Sequence, residues 1–129
     1  MDVDAAIRQH ADARLAFIMP SGQHPLGVSL SLTRRLKLLE WAHKNQAWII
    51  EDDYDSEFRF SGRPLSSMRS IDINQNVLYV GTFSKSLFPA IRIAYLVLPE
   101  RLVGTFRNAI GTLARSISTL EQATLAEFI

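Results

Sequence analysis

Four short, nearly unbroken apolar runs divide the chain: LAFIM at residues 15–19, AWII at 47–50, VLYV at 77–80 and IAYLVL at 93–98. Runs of this length without polar alternation predict strands buried on both faces, and such strands belong to sheets that helices cover on both sides. Helical patterns lie between and after them. In SLSLTRRLKLLEWAHKNQ, Leu32, Leu36 and Leu39 recur at helical spacing. Arg34, Arg35, Lys37 and Lys44 fall mostly on the other face, and Ser31 occupies an N-cap position. Residues 100–113 and 120–129 read as further helices, the first weakened by Gly104 and Gly111. Residues 1–14 form a polar, helix-like lead. A strand-to-strand link through a helix, as from residue 15 to residue 50, predicts parallel pairing with a right-handed crossover. The fold class is therefore α/β, a mostly parallel sheet between helical layers.

Composition narrows the functions. The 129 residues carry a formal net charge of +1 and no cysteine. Disulfides, thiolate nucleophiles and cysteine-held metals are excluded, and a reducing cytoplasm suits such a chain. Acids and bases are interspersed, with no basic stripe for nucleic acid. The three histidines, His10, His24 and His43, lack the spacing of metal ligands, so no metal site is expected. The lead MDVDAAIRQHADAR is too polar for a signal peptide, and the apolar runs are far shorter than the roughly 20 residues a membrane span needs.

Ligands of open α/β sheets gather at the carboxyl ends of strands. Three polar groups fall there: QHP after LAFIM, EDDYD after AWII and TFSK after VLYV. Neighbouring strands would bring the three loops into one crevice. Lys85 lies at its centre, since a lysine amine attacks carbonyls once desolvation or a nearby cation disfavours its ammonium form. Thr82, Ser84 and Arg92 offer two hydroxyls and a planar guanidinium, a set suited to phosphate. Asp52 supplies an anion at the end of another strand, able to keep a ring nitrogen protonated. An imine-forming lysine, phosphate donors and a carboxylate for a pyridinium together describe a site for pyridoxal 5′-phosphate (PLP). Each residue alone has a plainer reading. Lysines after strands are most often solvated, hydroxyls near helix starts cap them, acidic turns are usually solvated, and an arginine is most simply an ion-pair partner. The plain reading of His24 is a polar loop histidine, of Trp41 and Trp48 core residues, and of Tyr95 strand packing. Only the order of all four residue types at strand ends points to a cofactor.

IIEDDYDSEFRF followed by VLYVGTFSKSLFPAIRIAYLVLP closely resembles the aminotransferase-like domain of MocR-type regulators, a branch of the GntR transcription factors. PSGQHPLGVSLSLTRRLKLLEWA resembles the upstream segment of that domain. The likeness runs from about residue 15 to 99 and continues more weakly to 129. It implies a three-layer α/β/α fold, that of the type I PLP-dependent transferase large domain. Lys85 would condense with the PLP aldehyde and act as the catalytic lysine. Asp52 would pair with the pyridine nitrogen, Tyr54 would approach the 3-hydroxyl, and Thr82, Ser84 and Arg92 would hold the phosphate. His24 stands where the wider family has an asparagine that also touches the 3-hydroxyl, a departure that tells against efficient transamination. Ala90 replaces a common glycine and is expected to be tolerated if its φ is negative.

The same resemblance places this chain as one partial domain, residues 1–129, in the centre of a larger PLP domain. The winged helix that binds DNA, the Gly-rich phosphate loop, the ring-stacking aromatic and the C-terminal small domain are not expected within it. An isolated piece of this kind would expose sheet edges. Two functions follow. The domain senses an amino compound through PLP in a regulator that reaches DNA through its winged helix, or it is part of a PLP-dependent aminotransferase. Full transaminase activity is not expected of this chain alone. A cytoplasmic homodimer without membrane contact is expected for the full-length protein.

Overall fold

The structure, a computed structural model, describes residues 2–54, 56, 65–113 and 118–129. Asp55 and residues 57–60 of the acidic motif lie outside the described residues.

Asp2 opens the first helix, α1 (Val3–Gln9), by accepting a bond from the Ala5 amide at 3.0 Å. The first apolar run forms β1 (Leu15–Ile18), and the LTRR segment forms α2 (Leu32–Lys44). Ser31 takes the N-cap position with extended backbone, but its side chain makes no capping bond. The second run forms β2 (Trp48–Asp53), longer than expected: Glu51, Asp52 and Asp53 belong to the strand rather than to a turn after it. A short helix, α3 (Met68–Ile71), leads to β3 (Val77–Thr82). A 3-10 turn (Pro89–Ile91) precedes β4 (Ala94–Val97). Then come α4 (Glu100–Leu113), with the expected bounds, and α5 (Thr119–Phe128). No helix among the described residues is long and apolar enough to cross a membrane.

The sheet order is β1-β2-β3-β4. β1 and β2 run parallel, as the helical link required, and so do β2 and β3, with Ile49 opposite Val77 and Asp53 opposite Gly81. β4 is antiparallel, with Thr82 opposite Ala94.

Side chains alternate across a sheet and paired residues share a face. Ala16, Ile18, Ile49 and Val77 therefore point one way. They meet Val3, Leu38, Leu39, Trp41, Ala42 and Met68 in the core. The opposite face is largely open, and its Leu15 and Phe17 are exposed. On that side α4 buries no residue and leaves an apolar groove of about 540 Å³ between Val80, Ala94 and Leu96 of the sheet and Val103, Phe106 and Ile110 of the helix. Coverage of both faces, expected from the apolar runs, is thus met on one face only among the described residues.

The expected stripe of α2 needs correction. Leu32 and Leu36 are 48% and 50% exposed, whereas Arg35, Leu38, Leu39, Trp41 and Ala42 are buried. Positions 35, 38, 39 and 42 are also helically spaced. The true face was hidden because its first member is an arginine. Trp41 is core as expected, while Trp48 is half-buried with the Arg101 guanidinium 4.9 Å from its ring centroid.

Candidate cofactor site

The carboxyl ends of β1, β2 and β3 lie side by side, so the loops that leave them converge. The first loop, residues 20–30, closes through Leu30 N–H donating to the Pro20 carbonyl at 2.8 Å. Inside it Gln23 bridges Val28, the His24–Pro25 peptide is cis, and Gly27 has φ 66°, a left-handed conformation that glycine takes without Cβ strain. His24 sits exposed between the bridge residues. The rest of the site meets this loop at Gly22.

Asp52 occupies β2 on the sheet face opposite to Glu51 and Asp53. It pairs with Val80, and Thr82, two residues along β3, shares its face. Tyr54 follows at the strand end. Its hydroxyl donates to the Gly22 carbonyl at 2.9 Å, tying the end of β2 to the loop of residues 20–30. The Lys85 ammonium nitrogen stands 4.4 Å from the centroid of that ring. Lys85 is exposed as a residue, yet its amine is held against the turn that follows Asp52.

The loop after β3 carries the remaining donors. The Thr82 hydroxyl donates to the Ile93 carbonyl at 3.3 Å and accepts from the Ser84 amide at 3.1 Å. Phe83 N–H donates to the same Ile93 carbonyl at 3.0 Å, and Leu87 N–H to the Phe83 carbonyl at 2.9 Å. This turn displays Ser84 and Lys85. Because β4 returns antiparallel, Arg92 comes back beside the end of β3, two residues before the partner of Thr82. Arg92 is exposed and left-handed at φ 50°, a strained conformation for a residue with a Cβ. Ala90 is not among the positive-φ residues, so the condition set for its tolerance is met.

Geometry thus brings Lys85 and Tyr54 into contact, places Asp52 and Thr82 on one face, and returns Arg92 to the same strand end. The hydroxyls, guanidinium, amine and carboxylate fit the phosphate, aldehyde and ring nitrogen of PLP in chemical type. Among the described residues no cluster of metal-ligating side chains occurs.

A second polar set lies around the loop of residues 20–30 and α3, and sequence reasoning missed it. Arg35 is 0% exposed and donates to three backbone carbonyls, Leu30 at 3.0 Å, Pro20 at 2.9 Å and Ser66 at 2.7 Å. Glu51, also 0% exposed, accepts from the Met68 and Arg69 amides at 2.7 and 2.8 Å. Burial pushes its carboxyl above the usual range, against the pull of those two amides and the Arg35 charge. Asp53 accepts from Tyr79 at 2.9 Å and Ser56 at 2.6 Å, and desolvation with this bond raises the Tyr79 phenol. The signal was available: once β2 extends to Asp53, Glu51 and Asp53 follow Ile49 on the core face.

The whole chain, residues 1–129, matches the family described as aminotransferase class I and II, and the chain belongs to it. Within that class its likeness is to regulators of the MocR kind. It is 45% identical over 115 residues to the uncharacterized HTH-type transcriptional regulator YdeL of Bacillus subtilis, covering 89% of this chain and 25% of the relative. It is 46% identical over 116 residues to the probable rhizopine catabolism regulatory protein MocR of Rhizobium meliloti, covering 90% and 24%. It is 29% identical to the aromatic-amino-acid aminotransferase 1 of Thermococcus litoralis and 31% identical to the (S)-3,5-dihydroxyphenylglycine transaminase of Amycolatopsis orientalis. Among solved structures, the multiple substrate aminotransferase of Thermococcus profundus superposes with a TM-score of 0.85 at 32% identity, over 95% of this chain and 32% of that one. The chain spans about a quarter of the length of the curated relatives it matches.

Proposed function

We propose that this chain is the PLP-binding, effector-sensing domain of a MocR-type transcriptional regulator. The observation that carries this reading is the Lys85 amine held over Tyr54, on the turn that follows Asp52. When bound, PLP supplies an aldehyde that reacts with amines and a ring that withdraws electrons from them. Lys85 provides the amine. Asp52 keeps the pyridine nitrogen protonated, and Thr82, Ser84 and Arg92 grip the phosphate. Tyr54, tied to the His24 loop through the Gly22 carbonyl, stands by the 3-hydroxyl. An amino compound that competes with Lys85 for the aldehyde is the effector class. Its binding would bias a two-state equilibrium in the full-length protein. DNA contact belongs to a winged helix outside this chain, and the full-length protein is a cytoplasmic homodimer on this reading.

The test is borohydride reduction of the chain with PLP. A pyridoxyl group fixed on Lys85 and lost in Lys85→Ala supports the reading. Transaminase function is the second reading, favoured by the likeness to the Thermococcus profundus aminotransferase. Conversion of an amino donor to its keto acid by the full-length protein would decide for it, because the donor set serves both functions.

A further inference from the structure

We propose that Arg35 is a positioning residue for Lys85, acting through the loop of residues 20–30 and Tyr54. The inference deepens the reading of this site and names a group 50 positions before the lysine in the sequence. Its guanidinium is fully buried and donates to three backbone carbonyls. Two of these, Pro20 and Leu30, are the two ends of the loop, and the third, Ser66, leads into α3. Nε takes Leu30, Nη2 takes Pro20 and Nη1 takes Ser66, so one rigid plane sets the distance between three chain segments. The loop thereby closed presents the Gly22 carbonyl to the Tyr54 hydroxyl, and the Tyr54 ring receives the Lys85 amine. Glu51 lies within electrostatic reach of Arg35, and its neighbour Asp52 points to the opposite face.

A lysine at position 35 keeps the charge but offers its donors from a single nitrogen on a flexible stem. It cannot span the three carbonyls. A buried arginine that merely held the core together would give a less stable protein with an unchanged Lys85. A positioning arginine changes the amine itself.

The measurement is competitive trace acetylation followed by mass spectrometry. Lys85 is read against Lys44, which is paired with Glu40 on the far side of α2. In Arg35→Lys, with folding verified by circular dichroism, the Lys85-to-Lys44 labelling ratio is expected to move by at least about threefold. Tyr54→Phe removes the hydroxyl that ties the ring to Gly22, without touching the core, and should move the ratio in the same direction. The double variant should add nothing further, because both changes break one chain of contacts. A folded Arg35→Lys with the wild-type ratio overturns the proposal. Should that variant fail to fold, an unchanged ratio in Tyr54→Phe overturns it equally. The readout needs no cofactor. A ratio that responds while wild type gains no pyridoxyl group on Lys85 upholds the role of Arg35 and refutes the PLP reading.

Discussion

At the scale of single residues, backbone atoms and a ring hold much of the candidate site: Arg35 and Tyr54 donate to carbonyls, and the Lys85 amine lies over the Tyr54 ring. Gly81 shows how tightly these fit. A Cβ there would meet the Tyr95 ring, with Cε1 at 2.7 Å, and that ring packs between Tyr79 and Phe83. Gly81→Ala should therefore cost roughly 1–3 kcal/mol in chemical denaturation, by forcing Tyr95 off its rotamer. Glu51 gives a prediction with a definite sign. Its folded-state carboxyl is raised above its ordinary value of 4.5, so the folded protein binds that proton more tightly than the unfolded chain. The contribution is complete below the ordinary value and is lost as pH rises through the raised one. Glu51→Gln leaves one of two buried amides without an oxygen and should lose about 1–2 kcal/mol near neutrality. The difference between wild type and variant should widen as pH falls and level off below the ordinary value. Urea unfolding across that range measures it, and a gap that narrows in acid contradicts the account.

At the scale of elements, strand existence was legible and strand contents were not. The apolar runs at 15–19, 47–50, 77–80 and 93–98 each became a strand, because such runs must be buried whatever surrounds them. The acidic residues 51–53 read as a turn because polarity alone ends a run. In the sheet two of them face a polar pocket lined by helix amides and a phenol. The buried side of α2 failed for the same reason: Arg35 looks solvated until three carbonyls are placed around it. The Lys85, Asp52 and Arg92 set could be proposed from strand ends and residue types alone. The pairing of Tyr54 with Gly22 was not, since it depends on how the loop of residues 20–30 folds back. Elements that bury nothing should be dispensable. α5 has no buried residue, so removing residues 118–129 should change stability by less than about 1 kcal/mol, as checked by thermal unfolding. A loss of cooperative unfolding would contradict this.

At the scale of the whole molecule, three parallel strand ends and one returning antiparallel strand gather chemistry from residues far apart in sequence. The core occupies one side of the sheet, and the helices over it anchor the loops that build the site. The other side carries the exposed Leu15 and Phe17 and the groove beside α4. A family member that spans about a quarter of its relatives' length thus carries Asp52, Thr82, Lys85 and Arg92 at neighbouring strand ends. The central claim is that these groups form a site for PLP. Peptide mass mapping after borohydride treatment with PLP tests it most directly. The account predicts a pyridoxyl group on Lys85, with Lys37 and Lys44 unmodified and the adduct diminished in Arg92→Ala. Equal modification of all three lysines, indifferent to Arg92, would contradict it.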